Sequence, residues 1–244
     1  HEFYQNDKEI VLEAVNQNGF ALEFVDVELR KNKEVVLTAI KQNNAAICYA
    51  DPLLKKDKSI VFESIKSYSY DNLKYADKDL LNEKVFGLEL VTQNGNCLNY
   101  LSENLKKDEE IVVAAQKKNP ESLMHADDKF FTNKKMILNY LNQMFIDEQI
   151  FKKIEPTLLK DREFVLELVS LKGTALKYLD NNFKKDKEVV LKAIEKFGEV
   201  FMYADESLKK DRDFVLKAVK LNFSVLENAD QSFRKDKEIC LAAI

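Results

Sequence analysis

The chain has 244 residues, 45% of them apolar and 33% charged, with a net charge of -4, a composition of folded soluble proteins that argues against a polyanion-coating role for the chain as a whole. Five glycines, three prolines, two histidines, three cysteines and no tryptophan leave little from which to build a glycine-rich phosphate loop, a histidine metal cage or a disulfide framework. The longest apolar run, Ala45 to Ala50, falls far short of the ~20 residues of a membrane-spanning helix, so no membrane span is expected. His1-Glu2-Phe3 reads as a processed start, with His1 set aside as a cloning remnant.

Self-similarity at a fixed period decides the architecture before any single residue does. Asp7-Lys8-Glu9-Ile10-Val11-Leu12 returns as Asn32-Lys33-Glu34-Val35-Val36-Leu37 and as Asp161-Arg162-Glu163-Phe164-Val165-Leu166. Further copies open at Asp57, Asp108, Asn133, Asp186, Asp211 and Asp236, and a weaker one near Glu83. The spacings between openings are 25, 25, 26, 25, 25, 28, 25, 25 and 25 residues. Nine full repeats and the start of a tenth thus fill residues 1–244 as one array, with no linker or low-complexity tract to divide it.

Each repeat predicts a helix, a short helix and a helical turn. The opening Asp or Asn is a preferred N-cap, and the Glu two places on suits the positive helix end. Apolar residues at the third, fourth, fifth, seventh and eighth places (Ile10, Val11, Leu12, Ala14 and Val15 in the first repeat) form a face wide enough to touch two neighbours. Gly19, Gly95, Gly173 and Gly198, all twelve places after the opening, read as left-handed helix stops. The short second segment follows, as in Ala46-Ile47-Cys48-Tyr49-Ala50-Asp51, and its closing acid begins one more turn ending at Leu or Phe. Pro52 and Pro156 are expected at first helical positions and Pro120 in the loop between two helices. The repeat spanning 133–160 carries three extra residues and loses the second-segment motif around Ile150 to Lys153, which marks it as a kink or an insertion. The fold class is all-α, an α-solenoid in which each repeat contacts its neighbours.

The repeated phrase combines an acidic cap, Lys/Arg-Glu-apolar-Val-Leu, Asn-Gly, Ala-Leu, Tyr-Ala-Asp and Leu-Lys-Lys-Asp. It resembles the helical repeats of the domain of unknown function 4116, two of the present repeats corresponding to one family domain. Asp7 to Tyr49 and Asp161 to Asp205 carry the resemblance best, and residues 133–160 depart from it. The resemblance implies tandem helical repeats of bacterial and protist proteins, with no agreed activity, cofactor or catalytic residue. A looser structural similarity is to the leucine-rich variant repeats, which alternate a helix with a short helical turn; such an analogy carries no function.

No motif marks a nucleophile, a metal set or a cofactor site, and none is expected. His125 stands where other repeats have Phe24, Tyr49, Tyr75, Tyr100, Tyr178 and Tyr203, so it reads as one more member of a structural column. That column has two open readings: rings packed between repeats with hydroxyls at the surface or on backbone carbonyls, or a ladder of anchors for a partner. Cys48, Cys97 and Cys240 read as buried reduced thiols, which suits a reducing compartment.

A charged ridge also follows from the period. At the two places before each opening residue and the one after it stand 22 of the 38 lysines and arginines. Among them are Arg30, Lys31, Lys55, Lys56, Lys106, Lys107, Lys184, Lys185, Lys209 and Lys210, interleaved with acids in the manner of a solvated edge. The expected function is a non-enzymatic scaffold that presents an extended surface to another protein. The alternative is nucleic-acid or anionic-surface binding through the ridge, and a third is an enzyme with its site in 133–160. The run Leu241-Ala242-Ala243-Ile244 forms an apolar end, which reads as a fragment of a longer protein or as a face for self-association.

Overall fold

The computed structural model describes residues 4–66, 69–144 and 146–244, so His1 lies outside it. Among these residues every regular element is helical. The chain divides into two compact units, His1–Asp127 and Asp128–Ile244, each an all-α stack of solenoid repeats. The first unit holds the long helices α1 (Lys8–Gln17), α2 (Lys33–Gln42), α3 (Lys58–Ser64), α4 (Lys84–Gln93) and α5 (Glu109–Lys118). The second holds α6 (Lys134–Gln143), α7 (Arg162–Leu171), α8 (Lys187–Ile194), α9 (Arg212–Leu221) and α10 (Lys237–Ala242).

The caps form as the sequence predicts. The Asp7 carboxylate accepts from the amides of Glu9 and Ile10 at 3.0 and 3.2 Å, and Asn32, Asp57, Asp108, Asp161, Asp186 and Asp236 do the same in their repeats. Glu83 makes no such bond, because its longer side chain cannot fold back as Asp does. The core face is narrower than expected. Places three, four, seven and eight are buried from α2 to α9, as in Val35, Val36, Ala39 and Ile40 of α2 or Phe164, Val165, Leu168 and Val169 of α7, whereas α1 buries Val11 and Val15 and leaves Ile10 and Ala14 exposed. The fifth place (Leu37, Leu88, Leu166, Leu191) is only half-buried, since it points between neighbouring helices rather than into the stack.

Asparagine, not glycine, ends the long helices. Asn18, Asn43, Asn94 and Asn222 leave the helix in extended backbone, and each side chain then accepts from an amide of the next segment. The glycines lie in no left-handed conformation, which corrects their reading as helix stops. They permit close approach instead: a Cβ on Gly19, Gly95 or Gly173 would overlap the carbonyl oxygen of Ala39, Ala115 or Ala193 in the following repeat.

The second segment is a 3-10 helix in most repeats, as in Gly19–Phe24, Asn44–Tyr49, Gly95–Tyr100, Gly173–Tyr178 and Gly198–Tyr203. The burial pattern explains why. Gly95, Leu98 and Leu101 are buried, as are Gly173, Leu176 and Leu179 and also Gly198, Phe201 and Ala204, and a three-residue spacing aligns on one face when there are three residues per turn. Pro120 opens the 3-10 helix Pro120–His125 and is no loop residue, its missing N–H falling where no donor is needed. Pro52 and Pro156 occupy the turns ahead of Leu54–Lys56 and Leu158–Lys160 rather than the helical turns themselves.

Most successive repeats share one backbone hydrogen bond. The amides of Asp26, Asp51, Asp77, Ser102 and Asp127 donate to the carbonyls of Gln5, Arg30, Lys55, Leu81 and Lys106 at 3.0 to 3.2 Å. In the second unit Asp205 donates to Lys184 at 2.9 Å and Asp230 to Lys209 at 3.0 Å. The irregular repeat makes its bond as well, from Glu155 to Phe131 at 3.1 Å. Its second segment is not lost but changed: Glu148–Lys153 is α-helical, capped by Asp147, and buries Ile150 and Phe151.

Candidate interaction surfaces

Charges on facing repeats form a ladder. In most repeats the cation after the cap reaches the acids that open the next repeat: Lys33 lies 2.6 Å from Asp57, Lys58 2.7 Å from Glu83, and Lys84 2.8 Å from both Asp108 and Glu110. In the second unit Lys134 and Lys187 lie 2.6 Å from Asp161 and Asp211. Arg162 holds Asp186 at 2.9 Å and Glu188 at 2.5 Å, and Arg212 holds Asp236 at 2.7 Å and Glu238 at 2.8 Å, as a forked guanidinium permits. Burial pushes Asp57 up, yet Lys33, the Ser59 hydroxyl and two amides outweigh it and leave the carboxyl at about 2. The Lys84 ammonium lowers Asp108, and the Arg162 guanidinium lowers Asp186. Half-exposed pairs of this kind are worth ~0–1 kcal/mol each, so they tune the fit of neighbours more than they hold the stack.

The ridge residues separate into two layers. Lys55 and Lys209 turn back onto the carbonyls of Cys48 and Met202, both at 2.8 Å, and Lys106 pairs with Glu103 at 2.9 Å. The carbonyls of Arg30 and Lys184 carry the backbone bond between repeats. The outer layer is looser. Lys56, Lys107 and Lys185 stand 3.6 to 3.9 Å from Asp77, Asp127 and Asp205 of the following repeat; the Ser232 hydroxyl and amide, and after them Lys210, lower the Asp230 carboxyl. Lys31 is the tight member, 2.7 Å from Glu28.

The aromatic column lies against the preceding repeat. Tyr49 meets Phe20 edge-on at 6.1 Å, and a hydrogen bond to Glu23 raises its pKa. Tyr100 packs beside Tyr70 and donates its hydroxyl to Asp71; burial first, and then that carboxylate, push it up to about 12. Tyr178 stacks on Phe151 at 4.8 Å. The hydroxyls of Tyr49 and Tyr100 thus meet carboxylates, where the sequence suggested the surface or a backbone carbonyl. Tyr75, His125 and Tyr203 are half-buried in the same column, whereas Phe24 is 67% exposed.

Cys97 is buried, and that burial pushes its thiol up to about 12, far from a reactive thiolate. Cys48 and Cys240 are half-buried, short of the full burial expected. Among the described residues, no group of three or more His, Cys, Asp and Glu side chains is arranged to hold a metal ion, and no helix is long and apolar enough to cross a membrane. A cavity of about 480 Å³ opens between α7 and α8, walled by Leu166, Leu191, Glu167, Glu188, Lys192 and Glu195. It is the half-exposed fifth place seen from outside. Sequence reasoning missed the ladder's pairing, although the 24-residue separation of Lys33 and Asp57 is visible once repeats are laid side by side.

No curated protein and no solved structure matches the chain. The family described as a domain of unknown function, DUF4116, matches residues 1–30, 32–81, 88–131, 133–184, 186–234 and 211–244. The matches to 32–81, 133–184 and 186–234 each span two of the repeats described above. The alternation of Arg162 with Lys187 and Arg212 with Lys237 fits such a two-repeat unit. With matches tiling nearly its full length, the chain belongs to the DUF4116 family.

Proposed function

We propose that the chain is a non-enzymatic scaffold whose stacked repeats present an extended surface to another protein. The observation that carries this reading is the half-buried aromatic column. One ring per repeat keeps an accessible part at Tyr49, Tyr75 and Tyr100 of the first unit and at Tyr178 and Tyr203 of the second, and amphipathic rings held in place by neighbours make good anchors at low entropic cost. Asp57, Asp108, Asp161, Asp186, Asp211 and Asp236, by contrast, are engaged in caps and in the ladder between repeats. A photo-crosslinking side chain placed at Tyr75 or Tyr203 should trap a defined protein in the source cells, while the same group at Lys107 should not. Absence of any adduct from both column positions would remove the reading.

Nucleic-acid or anionic-surface binding through the ridge is the second reading. It is favoured by the loose pairing of Lys56, Lys107 and Lys185, whose side chains are 54 to 59% exposed. Binding of that kind weakens steeply with added salt, and no retention of single- or double-stranded RNA at low salt would dispose of it.

A further inference from the structure

At the carboxyl ends of α7, α8 and α9, apolar side chains stand in solvent beside lysines. Phe197 is 59% exposed, Leu221 48% and Phe223 68%, and Leu171 is half-exposed. Each adjoins a cation in the chain or on the same rim: Leu171-Lys172, Lys196-Phe197, Lys220-Leu221. The two aromatic positions belong to one patch, because Gly198, next to Phe197, packs directly against Asn222 and Ser224, which flank Phe223. Two carboxylates share the rim. Glu195 is held by Lys192 at 2.9 Å, and Glu199 is exposed, so three ammonium groups outnumber them.

The corresponding rim of the first unit is built differently. There Gln42 accepts from the Gly19 amide at 2.5 Å and donates to the Gln17 carbonyl at 3.3 Å, and Asn119 accepts from the Gly95 amide at 3.0 Å. Polar side chains seal the helix ends. In the second unit Leu171-Lys172 and Lys196-Phe197 replace the Gln-Asn pair, a change that leaves large apolar groups in water without adding to the core.

We propose that the rim formed by Leu171, Lys172, Lys196, Phe197, Leu221 and Phe223, with Lys220, docks on an anionic lipid surface. Protruding rings enter the boundary between headgroups and acyl chains, and the adjacent ammoniums meet the acidic headgroups. A fluid interface suits side chains that project singly from the ends of three helices, whereas a protein partner would need a matching socket for each. This surface shares no residue with the aromatic column or the ridge, so its failure leaves the scaffold reading untouched.

The test is co-sedimentation of the chain with vesicles of phosphatidylserine and phosphatidylcholine in equal amounts, against phosphatidylcholine alone. Binding is expected to the anionic vesicles and to fall roughly tenfold or more in F197S/F223S, which alters only exposed groups. It should fall roughly a hundredfold in K172E/K196E/K220E. Circular dichroism and thermal melting of both variants should match the parent. No binding of the parent to anionic vesicles would overturn the proposal and leave the rim to a protein partner; equal binding by the parent and both variants would overturn it by placing the lipid contact elsewhere.

Discussion

The two units stack their repeats by the same device and finish their edges by different ones. In both, an amide of one repeat donates to the turn of the repeat before it, small residues allow close approach, and places three, four, seven and eight of the long helices from α2 to α9 fill the core. The first unit closes its helix ends with Gln42 and Asn119 and builds its charge ladder from lysine. The second exposes Phe197 and Phe223 at those ends and mixes the lysine rungs Lys134 and Lys187 with the arginine rungs Arg162 and Arg212. What is common to both is required for stacking. The aromatic column is also common to both, whereas the exposed rim at Phe197 and Phe223 belongs to the second unit.

That division can be broken by mutation. Leu98 and Phe201 occupy equivalent, fully buried places in the two units. Leu98→Ala should cost about 2–5 kcal/mol and Phe201→Ala about 3–5 kcal/mol by denaturant unfolding, and a near-neutral result in either unit would show that its core is not packed as described. Next in size are Gly95→Ala and Gly173→Ala. Each should lose about 1–3 kcal/mol as the added methyl forces neighbouring repeats apart, against the gain of about 0.4–1 kcal/mol expected where an alanine adopts the same backbone with no neighbour in its way.

Asp57→Ala and Asp186→Ala each remove a cap and a ladder acid, with an expected loss of about 1 kcal/mol. Lys33→Ala and Arg162→Ala should cost less, ~0.2–1 kcal/mol, with arginine at the upper end; equal values would show that the second carboxylate of the clamp adds nothing. The acid limb follows from the same groups. The Asp57 carboxyl sits at about 2 in the folded chain, below its unfolded value, so its contribution is complete above pH ~4 and is lost as pH falls toward 2. Melting temperature should therefore decline over that window, and D57N should flatten the decline.

Most of the fold was legible because repetition averages out local ambiguity. A single Asp-Lys-Glu-Ile-Val-Leu is a weak helix start, but nine near-copies at one spacing leave little else to conclude. The caps and the long helices followed from that pattern. The 3-10 character of the second segment was also written in it, as buried residues at every third place, yet Leu98 and Leu101 are separated by a spacing that an α-helix also tolerates. Gly95 misled for a physical reason: backbone freedom and the need for close approach select the same residue, and only the neighbouring Ala115 carbonyl distinguishes them. Of the surfaces, the column and the ridge could be placed by period alone. Their partners could not, since Tyr100 meets Asp71 across a 29-residue separation that no periodic rule singles out.

The most direct test of the account is hydrogen exchange at the amides that join one repeat to the next. Those of Asp51, Asp77 and Ser102 in the first unit and of Asp205 and Asp230 in the second should exchange as slowly as amides inside the long helices, because each donates to the preceding repeat at 2.9 to 3.2 Å. Exchange at the rate of exposed loop amides would mean that the repeats do not stack through this bond, and would contradict the account.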